Sequence, residues 1–125
     1  MAPDRKRRLG RIIMYQVLAD LNRASGIVGS MVVGHDGIVI AADLDTAEQD
    51  EAVGALAASI SASVKKSLER MQQEEFAQIT IEADGGNMFL AYAKPGILVV
   101  KTEEDVNIGL VRLEIKNALT NLESH

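Results

Sequence analysis

Chemistry in a protein starts from a short menu of side chains, and this chain carries little of it. Its 125 residues include two histidines, His35 and His125, and no cysteine. Without cysteine there are no thiol nucleophiles, disulfides or thiolate metal sites. Two isolated histidines cannot supply a His-based triad or a multi-histidine metal centre. His35-Asp36 could act as an acid–base pair, but it stands in the turn-forming string His35-Asp36-Gly37 and reads as exposed turn chemistry. Neither Gly-x-x-x-x-Gly-Lys-Ser/Thr nor Gly-x-Gly-x-x-Gly occurs; Gly26, Gly29, Gly34 and Gly37 have other spacing. Asp84-Gly85-Gly86 invites a phosphate-loop reading, yet no helix follows to offer an anion-binding N-terminus, so it reads as a hairpin turn. The acidic strings Glu74-Glu75 and Glu103-Glu104-Asp105 lack the spaced ligand loop of a calcium site. The second is expected to place negative charge at the start of a helix. The expectation is a chain that is not an enzyme and holds no metal or cofactor.

Composition bounds the rest. With 47% hydrophobic and 25% charged residues, the chain has the mix of one soluble globular domain. A domain of this size buries enough surface to need no metal or disulfide staple. No apolar run approaches the ~18 residues of a membrane span. The charged N-terminus leads into an amphipathic pattern, not the apolar stretch of a signal peptide, and the expected location is cytoplasmic. Thirteen Lys and Arg against eighteen Asp and Glu give a net charge of −5. Asp4 against Arg5, Lys6, Arg7 and Arg8 makes residues 1–8 +3 and leaves −8 on the remainder. So acidic a body is a poor general binder of nucleic acid. The basic run could touch an acidic partner, RNA or, peripherally, a membrane. It is read instead as a solvated N-terminal tail over 1–8, ahead of a single domain over 9–125.

The elements that must position these residues follow the order αββαβββα. From about Arg5 to Arg23, Leu9, Ile12, Ile13, Val17 and Leu21 recur at helical spacing. Ile27 to Gly34 and Ile38 to Ala42 read as strands joined by His35-Asp36-Gly37. Thr46 to Gln73 contains the second helix, with Val53, Leu56, Ile60, Val64, Leu68 and Met71 as its apolar stripe. Phe76 to Ala83 alternates, Ala77, Ile79, Ile81 and Ala83 facing one way and Gln78, Thr80 and Glu82 the other. Turns at 84–86 and 95–96 lead into strands at 87–94 and 97–102, and a last helix runs from about Asp105 to Glu123 with Ile108, Val111, Ile115, Leu119 and Leu122 on one face. Strands 27–34 and 97–102 are apolar at odd and even positions alike, so both sheet faces must be covered. Three layers, helix–sheet–helix, meet that demand. The short turns make neighbouring strands antiparallel, which places the chain in the α+β class.

Two features go beyond what a lone domain needs. The second helix carries a run of small residues, Ala55, Ala57, Ala58, Ser59, Ser61, Ala62 and Ser63. Such a helix lies tight either on its own sheet or on a second copy of itself. The strand at 76–83, if it lies at an edge, has no proline and little charge in Phe76, Gln78 and Thr80 to protect it, so it is expected to be paired.

Order, length and one string carry a family likeness. The Asp36-Gly37 hairpin runs on into Ile38-Val39-Ile40-Ala41, and Asn107-Ile108-Gly109-Leu110-Val111-Arg112 leads into Leu113-Glu114-Ile115 and the closing helix. With these, the chain resembles the Roadblock/dynein-light-chain domain family over nearly its whole length, and within it the prokaryotic MglB-like members. The resemblance implies a single αββαβββα domain of the profilin-like, three-layer kind. Its five-stranded antiparallel sheet would have the middle helix on one face and the two terminal helices on the other. It implies homodimers in which the third strands pair and the middle helices lie side by side. The dimer interface is then expected at Ala55, Ala58, Ser59 and Ala62 on the helix and at Phe76, Gln78, Thr80 and Glu82 on the strand. A partner surface is expected at Ala62, Lys65, Lys66, Glu69 and Arg70.

The family's members scaffold motor complexes or bind small Ras-like GTPases. The implied function is therefore a non-enzymatic homodimeric regulator, an activating or platform protein for such a GTPase, contacting its switch region. The alternative is a structural adaptor subunit in a larger motor or signalling assembly. A small-molecule sensor or hydrolase is weakest, because no convergent polar set is available to build a pocket. The Arg5–Arg8 run matches no motif of the family.

Overall fold

Hydrophobic periodicity and turn chemistry produce eight elements in the computed structural model, which describes residues 2–44, 50–72 and 78–123. They are α1 (Ala2–Asn22), β1 (Ile27–Val33), β2 (Val39–Asp43), α2 (Asp50–Arg70), β3 (Gln78–Ala83), β4 (Gly86–Ala93), β5 (Gly96–Thr102) and α3 (Ile108–Glu123). The strands form one sheet in the order β2-β1-β5-β4-β3, with every neighbouring pair antiparallel. The two central strands are buried nearly throughout, so both of their faces are covered. One face carries α1 and α3 over a core that includes Leu18, Val32, Phe89, Leu98, Val100 and Ile115. The other carries α2 over Met31, Val33, Leu90, Ile97 and Val99. The α+β three-layer expectation holds.

Local hydrogen bonds explain where the elements stop. In the β1–β2 hairpin the Gly37 N–H donates to the Gly34 carbonyl and the Gly34 N–H to the Ile38 carbonyl, while the Asp36 carboxylate accepts from the Ile38 N–H at 3.0 Å. Gly37 has φ +90°, which a side chain would resist. At the other end of the sheet, Asn22 accepts from the buried Ser30 hydroxyl at 2.8 Å and donates to the Asp43 carbonyl at 2.9 Å, tying the end of α1 to β1 and β2. The Asn107 side chain caps α3 by accepting from the Leu110 N–H at 3.1 Å.

The basic run Arg5–Arg8 lies in α1, which starts at Ala2. Three expectations change. Glu103, Glu104 and Asp105 precede α3 and leave no acid in its first turn. They form a connector, in which the Glu103 N–H donates to the Gly26 carbonyl and the Asn87 amide reaches the Glu103 and Glu104 carbonyls.

The other two changes concern which stripe of a helix faces inward. In α1 Val17 and Leu21 of the expected stripe are buried with Leu18, and Ile13 packs against them, but Leu9 and Ile12 are each 53% exposed. In α2 the fully buried residues are Gly54, Ala57 and Ser61; Val53 and Ile60 of the expected stripe pack against that core, whereas Leu56 is 52% exposed and Met71, just past the helix, 67%. The reason in α2 is close approach. A Cβ on Gly54 would stand 3.1 Å from the Val39 Cγ2 and 3.2 Å from the Gly37 carbonyl oxygen. Gly54→Leu should therefore push α2 off the hairpin and cost about 1–3 kcal/mol. The expected readout is a lower urea midpoint at unchanged m-value. The ends of the predicted second helix and third strand, including Thr46, Gln73, Glu74, Glu75 and Phe76, lie outside the described residues, as does His125.

Candidate dimer and partner surface

The expected surface residues sort by helical rotation. Because Gly54, Ala57 and Ser61 point at the sheet, the opposite side of α2 presents Ala55, Ser59, Lys66 and Arg70, with Ala62 on its flank, all exposed. Ala58 is half-buried beside the Gly37 turn. The small-residue run is thus divided: one part seats the helix on its own sheet, and the other faces outward. Lys65 and Glu69 are exposed as well. The Lys65 ammonium lies 5.9 Å from the centroid of the Tyr92 ring, near enough for a cation–π contact. Tyr92 in turn stacks on His35, with centroids 4.7 Å apart and planes at 27°. His35 is therefore a turn residue, as expected, that also braces β4. Its ring partner could not be inferred from local spacing.

Beside this cluster Ser61 is 3% exposed, and its hydroxyl has no hydrogen-bond partner among the described residues. Leu56 is the apolar residue that periodicity assigned to the core. It instead lies on the outer flank, one turn from Ala52, Ser59 and Ile60. Its exposure was the missed signal: a stripe wider than one sheet can cover.

The second surface is the sheet edge. β3 ends the strand order, and its outer side meets no other described strand. Gln78 and Thr80 are half-buried and Glu82 is exposed. They face the α3 layer, where the Arg112 guanidinium donates to the Thr80 hydroxyl at 3.3 Å. Ile79 and Ile81 lie on the other face, half-buried with Met88 at the margin of the α2 layer. α2 itself packs chiefly over β2, β1 and β5. In one protomer the helix set and the strand set are therefore two patches separated by β4. No cluster of three His, Cys, Asp or Glu side chains placed to hold a metal occurs among the described residues.

With this geometry set out, the comparisons are decisive about kinship. The profile of the Roadblock/LC7 domain matches residues 13–102. The chain belongs to the Roadblock/LC7 family. Uncharacterized proteins of Methanocaldococcus jannaschii are 38% identical to this Roadblock chain over 109 residues, which is 87% of it and 96% of two of those relatives. Among solved structures, Myxococcus xanthus MglB superimposes with TM-score 0.85 at 21% identity, over 91% of this chain and 87% of that one. The gliding protein MglB of Thermus thermophilus gives 0.83 at 17% identity, over 92% and 89%. At such identities the structural likeness speaks for the Roadblock fold alone.

Proposed function

We propose that this Roadblock chain is a homodimeric regulator of a small Ras-like GTPase. One observation carries the reading: β3 ends the sheet with no other described strand on its outer side, and α2, across β4 from it, exposes small residues that its own sheet does not cover. Antiparallel pairing of two β3 strands requires a two-fold axis perpendicular to the sheet. That axis keeps both α2 helices on the same face, where Ala55, Ser59 and Ala62 allow close approach and Leu56 finds apolar cover. Ile79, Ile81 and Met88, at the margin of α2's own reach, would be covered by the partner. An interface of the ordinary size, on the order of 1,500 Å² in total, suffices for a stable dimer. Association of copies is also a property of MglB, one structure of which has a tetrameric arrangement.

The ridge of paired α2 helices then offers Lys65, Lys66, Glu69 and Arg70 to the GTPase switch region. Regulation requires unequal affinity for the two nucleotide states, because equal affinity shifts nothing. The test is a titration of the chain against a purified Ras-like GTPase of the same organism, loaded with GDP or with a non-hydrolysable GTP analogue. We expect a preference of about tenfold or more for one state, about 1.4 kcal/mol. Equal binding of both states would support the adaptor reading instead. Arg70 is near the C-terminal end of α2, so Arg70→Ala should weaken binding modestly and leave hydrolysis in the complex within about tenfold. Loss of an arginine finger would cost roughly 10³–10⁵. Single-turnover hydrolysis measures the difference.

A further inference from the structure

The face of α1 turned away from the sheet has a composition that neither the fold nor the proposed partner surface uses. Leu9 and Ile12 are each 53% exposed and Tyr15 is 45% exposed. They fall at i, i+3 and i+6 and so share one broad stripe. Each has an arginine one turn before it: Arg5 before Leu9, Arg8 before Ile12 and Arg11 before Tyr15. All three arginines are exposed. The one ion pair among the described residues, Arg23 with Asp20, involves none of them. Between Arg5 and Ala19 the chain has no acidic residue, whereas the body beyond is strongly acidic. Positive charge and exposed apolar area are thus concentrated on one helix face.

We infer that this face of α1 docks on the headgroup layer of an anionic membrane. The pattern is that of an interfacial helix, in which apolar side chains enter the headgroup–acyl boundary and arginines extend to the phosphates. Tyr15 suits the same depth, with an apolar ring and a polar tip. The stripe lies on the convex outside of a helix, which fits a planar surface better than it fits a peptide, whose recognition needs a groove. An RNA backbone would use the arginines and leave Leu9 and Ile12 in water. No helix among the described residues is long and apolar enough to cross a membrane, so the contact is peripheral. Because α1 and α2 lie on opposite faces of the sheet, a docked chain keeps α2 directed away from the lipid.

Co-sedimentation of the full chain with vesicles tests this. Phosphatidylcholine vesicles containing phosphatidylglycerol should retain the chain, with retention falling as salt rises, and pure phosphatidylcholine vesicles should not. Arg5→Gln with Arg8→Gln should weaken binding about 25-fold, at roughly fivefold per cation lost from an anionic surface. Leu9→Asp with Ile12→Asp should weaken it by about tenfold or more, because the apolar insertion is lost. Unchanged thermal midpoints and unchanged light-scattering masses show that these exposed substitutions leave the fold and assembly intact. Absence of binding to the phosphatidylglycerol vesicles at low salt overturns the inference. So does binding indifferent to Leu9→Asp with Ile12→Asp and matched by a single-stranded RNA homopolymer, since that is polyanion attraction alone. Neither result bears on the dimer or on the GTPase, which are read by mass and by titration.

Discussion

Thr80→Pro should run as a monomer in light scattering at a concentration where the unmodified chain runs as a dimer. Thr80 stands in the middle of β3, opposite Phe89 of β4, and the outer side of its strand meets no other described strand. Proline removes an N–H from that strand and sets a ring in the path of any strand added to it. The expected loss is a hundredfold or more in dimer affinity, about 2.7 kcal/mol. Ile81→Asp is the companion, because it leaves the backbone untouched and sets a charge on the half-buried face at the margin of the α2 layer. It should also dissociate the dimer while circular dichroism stays native. Two folded variants that both remain dimeric would place the interface elsewhere.

The second large effect is expected at Ala62. Its side chain is exposed on α2 in a cleft lined also by His35, Ala58, Lys65, Tyr92 and Ile97. Ala62→Arg adds bulk where a close approach is needed, and overpacking of that kind is not relieved by small shifts. It also adds a third cation to Lys65 and Lys66. Binding to the GTPase loaded with the GTP analogue should fall at least about a hundredfold, again about 2.7 kcal/mol, in the titration that reads the unmodified chain. Wild-type affinity in Ala62→Arg would put the GTPase on another surface.

Element order was legible in the sequence because local rules set it. Asp36-Gly37 and Pro95-Gly96 mark turns by their backbone preferences, and the alternation over 78–83 separates Ile79 and Ile81 from Thr80, which bonds to Arg112 as a residue on the α3 side must. The inward stripe was legible for α3, where Val111, Ile115 and Leu122 are buried and Ile108 and Leu119 pack on them, but only in part for α1 and α2. Periodicity puts Leu56 and Ile60 on one side of α2, but does not show that Ile60 reaches the core while Leu56 stays exposed. Gly54, Ala57 and Ser61 are the residues that face inward, and at Gly54 the hairpin leaves little room for a side chain. The same ambiguity put Leu9 and Ile12 in the core of α1, since an apolar residue meant for an interface or a lipid surface has the pattern of one meant for the interior. The His35–Tyr92 stack could not be foreseen, because no local pattern links residues so far apart in the chain. At the candidate site, residue types and order were readable. The division of the small-residue run between the sheet and the outer face needed coordinates.

The most direct measurement is native mass spectrometry of the chain mixed with its GTPase in each nucleotide state. One GTPase lying across the two-fold ridge predicts a species of two chains and one GTPase in the preferred nucleotide state, and much less of it in the other. A complex of one chain to one GTPase, or the same complex in both nucleotide states, would contradict a dimeric ridge that reads the switch region.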